Sequence, residues 1–562
     1  MALRIEDYAL IGDMHSCALV GNNGSVDWLC WPRFDSDACF AALLGDERHG
    51  RWSLSPTRPR RVQRRYRNDT LILETDIETD DGSCVRIVDF MPPREHEPLL
   101  VRQVCGLRGR TTMRMHLALQ FGYGDRTPWL NAHDHGAMAM AGPDAVRLQS
   151  DVPIEISRHA VASEFSVAEG ERLAFVLEWH PSFSNARPSD RDAAALCDKT
   201  ERFWQGWIEQ HEYEGPWRDA VVRSLITLKA LTYSPTGGIV AAATTSLPEH
   251  LGGVRNWDYR FCWIRDATFS LLALMHAGYY REARAWRDWL VRAIAGEPEE
   301  MQIAYGIAGE RRIPELELPW LPGYEGSRPV RIGNAASKQL QLDVYGEAMD
   351  CLHQARRNRI ETKPEVWPMQ RELLDFLESA WERPDSGMWE MRGKPRHFTS
   401  SKVMAWVAVD RTLRDAETFQ LPAPLERWRA LRSRIHAQVC ERGFDANKNS
   451  FVQAYGEQAL DASLLMIPLV GFLPIGDPRV RGTIDAICGD LVRGGFVYRY
   501  DTRNADDGLP SGEGVFLACS LWLADNYILL GRHDDAREYF ERVLGLCNDC
   551  LLYTSPSPRD TR

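Results

Sequence analysis

Long apolar runs, ordered sets of cysteines and clusters of basic residues are scarce in this sequence, and each scarcity removes a class of function. The longest apolar stretch, residues 464–473, is interrupted by Pro468 and Gly471 and falls short of the roughly 20 residues that a bilayer-spanning helix needs. It is expected to form a buried helix, and no membrane partner is expected. The 13 cysteines are scattered and odd in number, so neither a zinc site nor a disulfide framework is indicated. The 15 histidines form no cluster at ligand spacing, and no metal is expected. A net charge of -12 argues against a nucleic-acid partner, because phosphate backbones are held by grouped Lys and Arg. A neutral or small polar substrate fits such a chain better. The opening MALRIEDYAL lacks the basic-then-apolar pattern of a secretory signal, which points to the cytoplasm. Oligomeric state is not written in the sequence.

At 562 residues the chain exceeds one ordinary core, and a small and a large domain are expected. Residues 50–180 read as strands: 70–76, 85–90, 100–107 and 173–179 are β-like and bounded by Asp-Gly or Pro clusters. A turn at residues 21–24 between apolar flanks reads as a hairpin leading into them. The expectation is an N-terminal antiparallel β-sandwich over residues 1–187 and a helical linker over 188–215, its apolar positions Ala194, Leu196, Phe203 and Trp207. Beyond it, helical stripes recur, such as Val221, Val222, Leu225, Leu228 and Leu231, or Leu425, Trp428, Leu431 and Ile435. The fold class is therefore α+β multidomain, with a helical domain over residues 216–552. Loops rich in Trp, Gly and acids, residues 314–334 and 383–396, are where a site is expected over such a scaffold.

Two segments carry chemistry. GGVRNWDYRFCWIRD, residues 252–266, packs aromatics around Arg265 and Asp266 at a helix start. An isolated Arg-Asp pair would merely cap and salt-bridge. Among aromatics, the guanidinium and carboxylate can instead make directional bonds to sugar hydroxyls. SGMWEMRGKPRHFT, residues 386–399, presents Glu390 after Trp389. A desolvated acid beside an indole has a raised pKa and can donate a proton near neutrality. The residues alone leave this open against an exposed loop Glu paired with Arg392 or Arg396.

DYRFCWIRD resembles the first catalytic-domain motif of glucoamylases, and MWE with the downstream HFT resembles the motif holding their general acid. SRPVRIGNAASKQLQLDVYGE, residues 327–347, and GEGVFLACSLWLADNYILLGR, residues 512–532, are similar to further signatures of glycoside hydrolase family 15, in its bacterial trehalase-like branch. The N-terminal DYALIGDMHSCALVGNNGSVDWLCWPRFDS resembles that branch's β domain. The resemblance runs from about residue 5 to 550. It implies an (α/α)6 toroid hydrolysing an α-glucosidic bond with inversion, acting on a small carbohydrate, trehalose or an α-glucooligosaccharide. Carried over by motif, Glu390 is the general acid, Arg265 and Asp266 grip the nonreducing glucose, and Tyr259, Trp263 and Trp389 line its pocket. Arg331 contacts substrate more loosely, and Glu513 belongs to a binding loop. No cofactor is implied, because proton transfer and water attack need only two carboxylates, roughly 6.5–9.5 Å apart for inversion.

The chain departs from that pattern in three places. Where relatives place their base, a Glu after the helix spanning about residues 535–546, this sequence continues as CNDCLL and YTSPSPRDTR. The expectation is a toroid incomplete at its last helix, an unstructured tail over 553–562, a missing base and an exposed apolar seam. Ile332 stands where glucoamylases carry an Asp, and Asn334 where they carry a Pro, which tilts the reading toward trehalase. Two other readings compete: a noncatalytic carbohydrate-binding or scaffold protein that keeps the pocket, and a helical-toroid lyase or epimerase. The last would want a central His, and His397 reads as structural.

Overall fold

Period-two burial in strands Arg51–Pro56, Arg110–Ala118 and Val161–Ala168 turns Trp52, Leu54, Met113, Met115 and Val167 inward and leaves their neighbours in solvent. The computed structural model describes residues 2–133, 136–184, 190–361, 363–503 and 507–550. The tail expected over 553–562 lies outside them.

Two antiparallel sheets of eight strands form the N-terminal region. One runs in the order Tyr8–Gly12, Cys17–Gly21, Ser25–Cys30, Arg51–Pro56, Arg110–Ala118, Val161–Ala168, Glu155–Ile156, with Ala38–Phe40 on the third strand. The other runs Trp129–His133, Gly136–Ala141, Asp144–Ser150, Arg172–Pro181, Leu99–Arg108, Cys84–Phe90, Leu73–Thr79, Pro59–Tyr66. The predicted hairpin is present, pairing Leu19 with Trp28 and Val20 with Val26. Gly24 makes its turn at φ 78°, where a Cβ would lie 2.1 Å from the Leu54 carbonyl oxygen, so no other residue fits. A single turn, α1 (Phe121–Gly124), breaks the strand succession.

Helix α2 (Ala193–Ile208) starts on an Asp192 cap whose side chain accepts from the Ala194 and Ala195 N–H groups. Its buried face carries Ala193, Cys197, Thr200, Trp204 and Trp207. This corrects the expected stripe: Ala194 is exposed and Phe203 half-buried, because the adjacent Trp204 takes the inward position and meets Trp207 edge to face.

The helices that follow alternate between two layers. α4 (Ala267–His276), α6 (Asp343–Arg357), α8 (Thr399–Thr418), α10 (Met466–Leu469) and α12 (Leu517–Leu529) pack successively, with α6 and α8 buried on nearly every face. α3 (Arg218–Ala230), α5 (Tyr280–Ile294), α7 (Val366–Ala380), α9 (Leu425–Arg442), α11 (Pro478–Asp490) and α13 (His533–Leu544) lie outside them. Among the described residues this gives five inner and six outer helices of an α/α toroid. The apolar stretch around residue 464 forms a short buried 3-10 turn, Ala462–Leu465, continuing into α10. Between α3, α4, α12 and α13 lies a cavity of about 800 Å3, lined by Val221, Leu228, Ala273, Leu521 and Val543 among others. Part of the apolar stripe of α3 therefore faces space rather than a partner helix. Among the described residues no helix is long and apolar enough to cross a membrane.

Polar contacts join the two regions. The Trp28 indole donates to the Ala243 carbonyl at 2.8 Å, and Arg64 pairs with Asp549 at 2.5 Å. Arg260, ion-paired with Asp258 at 2.7 Å, donates to the Ser36 carbonyl at 2.9 Å. Half of the DYRFCWIRD charge is thus spent on holding the sheets against the toroid.

Candidate active site

The chain between α3 and α4 crosses one end of the toroid in short strands, Asn256–Asp258 against Thr245–Pro248 and Cys262–Trp263 against Ala304–Tyr305. These place Tyr259, Trp263 and Arg265 before α4, opposite the loop that precedes α8. That loop is pinned at several points: Asp385 and Arg396 exchange backbone bonds at 2.9 Å, Ser386 N–H donates to the Leu340 carbonyl at 3.0 Å, and the Gln339 amide donates to the Met391 carbonyl at 3.0 Å. Glu390 at its tip has φ 52°, a left-handed conformation that a non-glycine residue holds only when its surroundings impose it.

Trp263 Nε1 donates to Glu390 Oε1 at 3.1 Å, and Arg265 Nη1 donates to the same oxygen at 2.9 Å. A second Arg265 bond, to the Met388 carbonyl at 2.9 Å, fixes the guanidinium to the loop. The alternatives considered for Glu390 are not used: Arg392 pairs with Glu315 at 3.0 Å and Arg396 with Glu457 at 2.9 Å. Burial pushes the Glu390 carboxyl up, while Arg265, Arg499 and the Trp263 N–H oppose the rise. A proton on Glu390 is therefore retained to higher pH than on a free Glu. Trp263→Phe removes a donor to the anion and raises this pKa further. If Glu390 must be protonated to act, the alkaline limb of the rate profile moves to higher pH, a shift read from kcat/KM between pH 5 and 9.

Trp389 is held by Asp461, its indole N–H lying 2.9 and 3.0 Å from the two carboxylate oxygens, and its ring is stacked on Trp522 at 6.0 Å. Tyr259 packs at 5.4 Å from Trp263, and its hydroxyl reaches Glu249 at 3.5 Å. Asp266 pairs with Arg265 at 3.2 Å, and its side chain remains 47% exposed, free to accept from a ligand. Two of the expected residues are turned elsewhere. Arg331 lies over the Trp257 ring at 4.7 Å and donates to the Val254 carbonyl at 2.8 Å; Glu513 is ion-paired with Arg499. His397 stacks on Tyr455.

Tyr259, Trp263, Trp389 and Glu390 line a cavity of about 30 Å3, together with Glu249, Arg255 and Arg499, which sequence reasoning missed. Glu249 accepts from Arg499 at 3.1 Å across 250 residues of chain. It follows a lone Pro in a loop and carries no spacing signal of its own. Among the described residues lining this cavity the carboxylates are Glu390 and Glu249.

Behind Glu390, at the start of α6, Asp343 is buried with neither carboxylate oxygen hydrogen-bonded among the described residues. Burial first and Asp385 second push it up to about 7, against about 3.9 in an unfolded chain. The native protein thus holds a proton there that the unfolded chain releases, and stability falls as pH rises from about 4 to 7. Asp343→Asn is expected to raise the melting temperature most at pH 8, by less at pH 5 and least at pH 4; an equal shift at all three pH values would contradict the assignment.

An acid at the end of an α/α toroid, held by an Arg and an indole N–H and raised in pKa, is an arrangement able to protonate a glycosidic oxygen. The comparisons agree: residues 215–557 match Glycosyl hydrolases family 15, and residues 1–204 match the family described as Trehalase-like, N-terminal. The chain belongs to glycosyl hydrolase family 15 and is a glycoside hydrolase. It is 38% identical to a trehalase of Mycolicibacterium smegmatis, over 99% of this chain and 88% of that protein. It is 37% identical to a trehalase of Mycobacterium tuberculosis, over 99% and 86%. Its fold is that of a bacterial glucoamylase solved in complex with acarbose, with a TM-score of 0.75 at 12% identity, covering 100% of this chain and 91% of that one.

Proposed function

We propose that this protein hydrolyses trehalose to two glucose molecules, with Glu390 as general acid and inversion at the attacked anomeric carbon. The observation that carries the reading is the Glu390 carboxyl, half-buried, raised in pKa, and oriented by Arg265 and Trp263 through one oxygen. Its other oxygen makes no bond to these two donors and is the one offered to the glycosidic oxygen. Arg265 and the half-exposed Asp266 hold the nonreducing glucose by its hydroxyls, a donor fork beside an acceptor. In the reaction, the Glu390 proton passes to the glycosidic oxygen as its bond to C1 breaks. Water adds to C1 from the opposite face and gives up its proton to solvent, no residue of the chain being assigned as its base. The names of the mycobacterial relatives, at 37 and 38% identity over nearly the whole chain, support trehalose as the substrate. Ile332 and Asn334 tilt the same way.

The test is glucose release from trehalose, maltose and maltotetraose by the purified protein. Trehalose is expected to give the highest kcat/KM. Faster release from maltotetraose would make the protein a glucoamylase, and release from none, with glucosides still bound, would favour the carbohydrate-binding reading.

A further inference from the structure

Of residues 327–347, the motif expected to bring Arg331 to the substrate, the structure sets a different residue against the acid loop. Gln339 Nε2 donates to the Met391 carbonyl at 3.0 Å and to the Glu390 carbonyl at 3.4 Å, so one carboxamide meets the acid's own peptide oxygen and the next. We propose that Gln339, seated by Gln341, is a positioning residue for the general acid: it clamps the backbone on the far side of Glu390 from Arg265 and keeps the carboxyl aimed at the glycosidic oxygen. The inference rests on the hydrolase reading above.

Three observations carry it. Glu390 sits at φ 52°, a conformation the chain leaves unless held there, and its own N–H reaches the Gly387 carbonyl at a long 3.3 Å. Its backbone is gripped instead from both sides: Arg265 donates to the Met388 carbonyl at 2.9 Å before it, and Gln339 to the Glu390 and Met391 carbonyls after it. The second observation is that this clamp is itself fixed. Gln341, 3% exposed, donates through Nε2 to Gln339 Oε1 at 3.2 Å. With its oxygen taken by a donor and its nitrogen by two acceptors, the Gln339 carboxamide has one orientation that satisfies every partner. Its backbone N–H closes a 3-10 turn, Ala335–Lys338, on the Ala336 carbonyl at 2.9 Å, and the Asn334 side chain caps that turn. On either side of Gln341, the Leu340 carbonyl accepts from Ser386 N–H and the Leu342 N–H donates to the Asp385 carboxylate, each at 3.0 Å. Residues 339–342 thus form a continuous rail under the acid loop. The third observation is that neither Gln339 nor Gln341 lines the cavity at Glu390, so their amides act through the backbone of the loop and not on the sugar. A reacting group displaced by about 1 Å can lose about 10²-fold in rate.

The experiment measures kcat and KM in wild type, Gln339→Leu and Gln341→Leu, for trehalose and for α-glucosyl fluoride, whose leaving group needs no proton. Leucine keeps much of the bulk of glutamine and removes its donor. In Gln339→Leu, kcat for trehalose is expected to fall about 10- to 100-fold, with KM within about twofold and turnover of the fluoride within about threefold. Gln341→Leu, which keeps the donor and removes what seats it, is expected to lose less on trehalose in the same pattern. The double variant should be no slower than Gln339→Leu, because the two amides act as one unit. Equal loss on both substrates overturns the proposal, because Gln339 would then hold the fold or the sugar pocket and not the proton donor. Unchanged kcat for trehalose overturns it too. If Gln339→Leu yields no folded protein, Gln341→Leu decides by the same ratio of trehalose to fluoride turnover. Wild-type protein that turns over neither substrate overturns the hydrolase reading and this proposal with it.

Discussion

Glu390→Gln is expected to lower kcat for trehalose by about 10²- to 10⁴-fold, the range lost with a general acid, while leaving KM within a few-fold. The amide keeps an oxygen that can accept from Arg265 and Trp263, bonds of 2.9 and 3.1 Å in the wild type. The pocket therefore keeps its shape and loses the proton. α-Glucosyl fluoride separates this cause from a general collapse of the site. Fluoride departs without being protonated, so the variant should retain much of its turnover on that substrate. Loss of both activities to the same degree would show that Glu390 holds the pocket rather than supplying a proton.

Arg265→Ala is the second large effect. Arg265 bonds Glu390, the Met388 carbonyl and Asp266 together, so its removal releases the loop, Glu390 and Asp266 at once. A loss of about 10²-fold or more in kcat/KM is expected, on the scale of removing one fixed donor from a site. The pH profile carries a separate signature. Arg265 is the strongest of the groups opposing the rise in the Glu390 pKa, so without it the acid stays protonated to still higher pH. The residual activity should have its alkaline limb displaced upward, by more than in Trp263→Phe. Arg265→Lys should recover part of the limb position, because a charge remains, and little of the rate, because a single ammonium cannot reproduce the fork.

Much of the site was legible because its residues lie close together in two motifs. Trp263, Arg265 and Asp266 fall within four positions, and Trp389 and Glu390 are adjacent; their composition marked the two segments, and the resemblance to glycoside hydrolase family 15 implied that they share one site. The strands were legible from alternation and turn residues, and the helical half from its apolar stripes. What spacing could not give was competition among partners. Arg331 is drawn to the Trp257 ring and the Val254 carbonyl, and Glu513 to Arg499, because each neutralises or covers a buried neighbour that the sequence places far away. Glu249 and Arg499 meet only through folding, and neither has a pattern around it that marks it from other loop residues. Trp389 reads as a ring beside an acid, yet the Asp461 that fixes its indole lies 72 residues on. In α2 the error was smaller: Phe203 and Trp204 are adjacent and apolar, and only packing against Trp207 decides which of them turns inward.

The measurement that bears most directly on the account is an early-time proton NMR spectrum of trehalose hydrolysis by the wild-type protein. Attack by water on the face opposite Glu390 converts one ring to β-glucose and releases the other as α-glucose. The account predicts the two anomers in equal amounts before they interconvert. α-Glucose alone would mean retention through a covalent intermediate, and no glucose at all would mean that the pocket binds this sugar without cleaving it; either result would contradict the account.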